Sequence, residues 1–420
     1  MLGGLLKNKF VRSIGSYTLV NVINKGIPFL LLPLLTHFLS TEDYGVLRNV
    51  ESLLVISVTL VGVNLPSALT RQYVKRDVDL KSYFTSAFRI VIISFCLLTI
   101  TYSVFADVIS EYTSIPISIV YFITFYALCD SVMEVLMSLW RMEDKPFNYG
   151  AYRITRTLIE VVISLVAVII MDYDWIGRYA GLYIGGVIGG VVAIFIFLKR
   201  GFFGGSYTTE YKKHFLNYGL PLIPHSVSGV IIFYSDKIVI TKMIGVSENG
   251  LYSVAFTIGM AISLLQNSFN QAWVPWLFKK LELESLKEKK RLVKITYIYM
   301  LVMLLFVLSL WLITPFIYAF LGKDFSEGMG LVVIIGLGFA FNGMYKMMIN
   351  YVFYAEKNKI ISTITIFMAI LNITLNVIFI KSFGLVGSAY ASVITFFIQF
   401  IITWYISNKV FPMPWFSFKR

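Results

Sequence analysis

Residues 25–51 read KGIPFLLLPLLTHFLSTEDYGVLRNVE. Two long apolar runs meet here at a tight polar turn, Ser40-Thr41-Glu42-Asp43-Tyr44-Gly45. Lys25 lies inside the first run. Arg48 and Glu51 lie inside the second, three apart and therefore on one face of a helix. A charge in hydrocarbon costs about 2.5–3.5 kcal/mol on insertion scales, so such residues normally face a polar interior. Pro28 and Pro33 interrupt the backbone ladder near Lys25. A membrane helix tolerates this only where neighbours or water re-satisfy the freed carbonyls. The stretch predicts a membrane protein with a bent first helix and a charged internal cavity.

The rest of the composition agrees. Of 420 residues, 58% are hydrophobic and 14% charged, which a soluble core cannot hide. Cys96 and Cys129 both sit in apolar runs and read as small buried hydrophobes, not as a disulfide or metal site. The three histidines show no metal-ligand spacing. The basic N-terminus (Lys7, Lys9, Arg12) precedes a run too long for a signal sequence and reads as an uncleaved first span.

A span needs about 20 apolar residues. Twelve are expected, at roughly 12–38, 44–66, 82–106, 116–140, 148–171, 176–198, 212–241, 249–275, 293–320, 328–354, 359–380 and 385–408. The N-terminus, the loops after the even-numbered spans and the C-terminus hold 25 basic residues, against four in the other loops. The positive-inside rule then places both termini in the cytoplasm. The net charge of +13 is accordingly topological, and nucleic acid is not an expected partner.

The chain also repeats at an offset near half its length. TEDYGVL (41–47) returns loosely as SENGLYS (247–253), IGRYAG (176–181) as VGSAYA (386–391), and MEDK (142–145) as AEKN (355–358). Six spans followed by six in the same orientation form a parallel repeat, with the substrate path expected between the halves. The expected organisation is an N-terminal six-helix bundle over 1–200, a cytoplasmic linker over 201–211 and a C-terminal six-helix bundle over 212–420. No loop is long enough for an extramembrane catalytic domain. The longest, about Phe278 to Leu292, is a charged segment.

Four stretches carry a resemblance. IPFLLLPLLTHFLSTEDYGVL, FYSDKIVITKMIGVSENGLYSVAF, NQAWVPWLFKKL and LNITLNVIFIKSFGLVGSAYASV resemble the polysaccharide-export flippases, the Wzx-type O-antigen and repeat-unit translocases. These belong to the multidrug/oligosaccharidyl-lipid/polysaccharide exporter superfamily, with the MATE drug antiporters and the peptidoglycan-precursor flippase. The resemblance covers essentially the whole chain. It implies an all-α polytopic membrane protein, twelve helices in two MATE-like bundles around a central cavity, and alternating access. The implied cargo is an undecaprenyl-diphosphate-linked oligosaccharide, moved from the cytoplasmic to the outer leaflet of the bacterial inner membrane. A polysaccharide polymerase is the implied machinery downstream.

The charged residues within spans are mainly cations, which suits a diphosphate cargo, since arginine offers bidentate donors to phosphate oxygens. Lys25, Arg48, Arg89, Arg153, Arg156 and Lys346 are candidates for a cationic cavity. Arg48 and Arg89 are also placed to snorkel, and Arg153 to act as an interfacial anchor. Arg156 and Glu160 have the spacing of a local ion pair. Asp130 and Glu134, four apart, share a face where neighbouring carboxylates raise one pKa. With Glu160 they are candidates for proton or sodium coupling, and pairing with Arg89 or Arg156 is the structural alternative. Asp236 and Lys237 are adjacent, about 100 degrees apart on a helix, and are expected to face different partners. With Glu51 they form a candidate gate or ion-pair network. Gln266, Asn267, Asn270 and Gln271 are candidates for sugar contact or interhelical hydrogen bonding, and Asn372 and Asn376 for interhelical bonding. No cofactor is expected, and no nucleotide loop or catalytic triad appears, so an enzyme is not. A MATE-type cation or drug antiporter of the same fold is the alternative. It calls for an acid-dominated cavity, whereas bases predominate here.

Overall fold

The computed structural model describes residues 9–73, 78–283 and 285–415; the side chains of residues 9–19, 21, 22, 25, 358 and 359 lie outside this description. Lys25 is therefore placed on its helix, but nothing follows about its ammonium group. Among the described residues every element is helical.

Helix α1 (Lys9–Phe38) carries Pro28 and Pro33 in its interior. Near its end, two side chains take up carbonyls around Pro33. Thr36 Oγ1 donates to Leu32 O and Pro33 O, each at 3.0 Å, and His37 Nδ1 lies 2.7 Å from Pro33 O. The turn at 39–40 then starts α2 (Thr41–Gly62) with a capping box. The Asp43 N–H donates to Ser40 Oγ, and the Ser40 N–H donates to Asp43 Oδ2 at 3.1 Å. Two otherwise orphaned donors are satisfied, a contribution of about 1 kcal/mol.

There follow α3 (Leu65–Tyr73), α4 (Leu80–Val104), α5 (Ala106–Thr113), α6 (Ile117–Met142), α7 (Pro146–Leu165) and α8 (Asp174–Lys199). A π-helical turn at Val166–Ile170 ends α7. Then come α9 (Thr209–Gly219), α10 (Ile223–Met243), α11 (Val246–Gly259), α12 (Ala261–Leu281), α13 (Leu286–Tyr318), α14 (Leu331–Tyr354), α15 (Asn358–Phe383) and α16 (Leu385–Val410). Nine segments among the described residues are long and apolar enough to cross a membrane. The three remaining expected spans are α1, α7 and the α11–α12 pair. Helix α7 has Arg153, Arg156 and Glu160 within 20 residues, and the eighth span is broken at Met260 into two shorter helices. The chain is an all-α polytopic membrane protein, and these helices account for the expected twelve segments.

The chain divides into two compact units. One comprises Met1–Ile27 and Phe38–Tyr234, and the other Pro28–His37 and Ser235–Arg420. In the first unit, residues 201–211 are packed down tightly. Phe202 is buried against Phe84 and Phe197, Thr85 Oγ1 donates to Phe202 O, and the Ser206 and Thr208 N–H groups donate to the hydroxyls of Ser82 and Ser86. In the second unit, Gly338 of α14 lies against Phe396 and Val393 of α16. Gly322 is seated directly on the Thr36 carbonyl and donates its N–H to Thr36 Oγ1.

Candidate functional site

The charged residues of the first unit meet because α8 is glycine-rich on two faces. A Cβ at Gly181 would lie 2.5 Å from Glu160 O, at Gly186 2.2 Å from the Tyr126 ring, and at Gly190 2.4 Å from Cys129 Cβ. Only glycine permits this approach, the small-residue packing that lets membrane helices close on one another. It draws α6 and α7 in together against α8.

Arg156 donates to Tyr126 Oη at 2.8 Å and pairs with Asp130 at 3.2 Å. Glu160 pairs with Arg178 at 2.9 Å, and Arg178 also donates to Ser164 Oγ at 2.9 Å. The local Arg156–Glu160 pair suggested by the sequence is not made. Each partner is taken instead by a residue on another helix. Partial burial favours this outcome, because fixed interhelical partners satisfy charged groups that are largely withdrawn from water. Sequence reading missed Tyr126 and counted Arg178 as a loop residue. The spacing from Glu160 through a short turn to Arg178 was the available signal.

On α2, Arg48 pairs with Glu51 at 2.6 Å and donates to Tyr44 Oη. A cavity of about 390 Å³ opens in this unit. Glu51, Asp130 and Glu134 line it together with Tyr126, Tyr234 and apolar side chains such as Leu54 and Leu182. Glu134 has no hydrogen-bond or ion-pair partner among the described residues. Arg153 donates to Tyr149 Oη at 2.7 Å. Arg89 is exposed and lies 4.6 Å from the centre of the Tyr207 ring. At the α6–α7 turn, burial works to raise the Glu143 pKa. Hydrogen bonds and charge from Arg200 and Lys145 outweigh burial and hold the carboxyl below its ordinary range.

The second unit holds a separate polar network. Asp236 and Lys237 are both buried, and the Lys237 ammonium lies 3.6 Å from Asp236 Oδ1 and 3.9 Å from the centre of the Phe256 ring. The two were expected to face different partners. The lysine stem is long enough to fold back beside its neighbour, and Phe256 supplies a cation–π surface. Tyr252 donates to Asp236 Oδ2 at 2.5 Å. Asn372 and Asn376 join Ser235, Ser388 and Thr395, so they link α15 to α10 and α16. A second set of bonds runs between α12 and α14. Gln266 donates to Asn342, Lys346 to Asn267 at 2.8 Å, and Asn350 to Asn270 at 2.9 Å. The acceptors and donors on α14 recur every four residues, one helical turn each. Gln271 is exposed. No group of three metal-ligating side chains occurs among the described residues.

Known proteins share this architecture. A multidrug resistance MATE family transporter of the MOP superfamily, in an inward-facing conformation, matches with a TM-score of 0.72, 16% identity and 94% coverage of each chain. The lipid II flippase MurJ, in an inward closed conformation, matches with a TM-score of 0.73 and 15% identity over 95% of this chain and 87% of that one. At such identities the likeness establishes the fold. Among curated sequences, an Lsg locus protein of Haemophilus influenzae is 23% identical over 374 residues, 84% of this chain and 87% of that protein. An uncharacterized membrane protein of Methanocaldococcus jannaschii is 21% identical over 404 residues, 91% of this chain and 94% of that protein. The family model described as polysaccharide biosynthesis protein matches residues 10–281. With its fold, its membrane-length helices and this match in agreement, the chain belongs to the polysaccharide biosynthesis protein family.

Proposed function

We propose that this protein is a flippase that moves undecaprenyl-diphosphate-linked oligosaccharide repeat units from the cytoplasmic to the outer leaflet, by alternating access, for O-antigen or other surface polysaccharide synthesis. The observation that carries the reading is the match to a polysaccharide biosynthesis family over a fold whose membrane-length helices hold arginines in internal networks. The N- and C-terminal bundles are taken as its two moving halves. Lys25, Arg48, Arg89, Arg153, Arg156 and Lys346 are the cations offered to the diphosphate. Arg156 is the best placed of those described, since a phosphate can compete with Asp130 for the guanidinium. Gln266, Asn267, Asn270 and Gln271 are offered to sugar hydroxyls, and the three that bond α14 must exchange those bonds for the cargo. Asp130, Glu134 and Glu160 are offered to a coupling proton or sodium ion, while Glu51, Asp236 and Lys237 serve as a gate or ion-pair network. The membrane is the bacterial inner membrane, both termini are cytoplasmic, and a polysaccharide polymerase receives the product.

The test is complementation in a cell lacking its repeat-unit flippase. Lys25→Ala and Arg156→Ala are each expected to reach the membrane yet fail to restore surface polysaccharide. Full restoration by both would reject a cationic path. Reconstituted transport measured with and without an imposed proton or sodium gradient tests the acids, and gradient-independent transport removes their coupling role.

A second reading draws on the first-unit cavity. Its polar lining includes Glu51, Asp130 and Glu134 on aromatic and apolar walls, which suits a lipophilic organic cation. On that reading the protein is a cation antiporter. Efflux of an organic cation that survives Arg156→Ala but is lost in Glu134→Gln would favour it over the flippase.

A further inference from the structure

The turn joining α12 to α13 is strongly basic. Residues 279–294 contain seven basic and three acidic side chains. Three of these cations, Lys280, Lys289 and Arg291, are used internally. Lys280 lies 3.6 Å and Arg291 4.0 Å from Glu288, and Lys289 lies over the Phe411 ring. Lys279, Lys287 and Lys294 are different. All three are exposed and make no hydrogen bond or ion pair among the described residues. Between them two leucines stand in the open, Leu283 at 58% and Leu286 at 62% exposure. Leu283 stands in the turn itself, and Leu286 is the first residue of α13. Trp276, half-buried, lies within two turns of the end of α12, where an interfacial aromatic is expected.

The charge placement is locally unfavourable. Lys287 and Lys289 fall in the first turn of α13, where the helix dipole is already positive, and Ser285 makes no side-chain capping bond. The first-turn acid, Glu288, is committed to Lys280 and Arg291. Lys289 is compensated by the Phe411 ring, whereas Lys287 has no hydrogen bond or ion pair among the described residues, and an uncompensated local conflict of this kind is the usual sign of a surface shaped for something else.

We propose that this turn is a docking surface for anionic phospholipid headgroups of the adjacent leaflet. Lys279, Lys287 and Lys294 contact the phosphates, and Leu283 and Leu286 enter the acyl boundary. Charge complementarity fixes the class of partner, because clusters of four to eight basic residues beside a membrane helix bind anionic lipid. The inference is independent of the transported cargo.

The experiment measures binding of a fluorescent short-chain phosphatidylglycerol to the full chain in a zwitterionic detergent, with the phosphatidylcholine analogue as reference. Wild type should prefer phosphatidylglycerol, and raised salt should weaken the preference. The triple variant Lys279→Gln, Lys287→Gln, Lys294→Gln should lose affinity roughly fivefold for each charge removed. Its melting temperature in neutral detergent should be unchanged, because these exposed side chains make no hydrogen bond or ion pair among the described residues. The corresponding triple arginine variant should retain binding. Equal binding of both lipids by wild type, or unchanged phosphatidylglycerol affinity in the glutamine variant, would overturn the proposal. So would a short-chain polyprenyl diphosphate that binds more tightly than phosphatidylglycerol and loses that binding in the same variant, because the surface would then serve the cargo.

Discussion

Replacing Arg178 by Met tests whether cross-helix charge pairing holds the first unit together. Arg178 and Glu160 retain only 7% and 12% side-chain exposure and lie 2.9 Å apart. Arg178 also donates to Ser164. Removing one member of a buried pair typically costs about 3–5 kcal/mol, because the survivor is left charged without compensation. Replacing both members by neutral groups of similar size is far cheaper. Arg178→Met alone should therefore destabilise the unit by about 3 kcal/mol, and Arg178→Met with Glu160→Gln should recover most of the loss. For a unit of this size about 1 kcal/mol corresponds to about 2–4 °C in melting temperature, so the single variant should melt roughly 6–12 °C lower. The reporter is built in. Cys129 is buried beside Gly190 of α8, whereas Cys96 is exposed. In a Cys96→Ser background, the temperature at which a thiol dye reacts with Cys129 reports the opening of the α6–α8 contact. A single variant with unchanged melting, or a double variant as unstable as the sum of the two singles, would refute the reasoning.

Three further outcomes are expected. Gly186→Ala places a methyl 2.2 Å from the Tyr126 ring, and overpacking of this kind costs about 1–3 kcal/mol, so Cys129 should label at lower temperature. Gly322→Ala meets backbone, since its Cβ would lie 1.9 Å from Thr36 O; the variant should be less stable than Gly204→Ala, whose Cβ meets nothing within 4 Å, in parallel thermal melts. Acid should weaken the α6–α8 end contact through Glu143. Its folded pKa lies below its unfolded value of about 4.3, so its contribution is complete above that value and is lost as pH falls through the lower folded one. Melting temperature measured from neutral pH down through this window should fall less steeply in Arg200→Gln than in wild type.

The membrane character of the chain was legible from its apolar runs. The turn at Ser40–Asp43 was also legible, because a capping box is a local motif whose donors and acceptors lie within four residues. The span at 148–171 shows where this kind of reading is weakest. Length and apolarity suggest a span, yet Arg153, Arg156 and Glu160 make α7 too polar to pass as a lipid-exposed helix. Its charges are tolerated because Asp130, Tyr126, Tyr149 and Arg178 receive them. Span 8 was read as continuous, whereas the chain turns at Met260 and continues as a second helix.

The sequence by itself determined that the chain enters a membrane, roughly where most of its membrane-length helices lie, and most of the side chains that carry charge into the apolar region. These properties depend on composition and on neighbours a few residues away. Only the tertiary structure decided which partners those charges take. Arg156 found Asp130 rather than Glu160, and Glu160 found Arg178, because glycines on α8 bring α6 and α7 within contact. Lys237 turned back to Asp236 because Phe256 stands beside it. Pairing in a low-dielectric interior depends on distances of a few ångströms between helices, and no spacing along one helix encodes those distances.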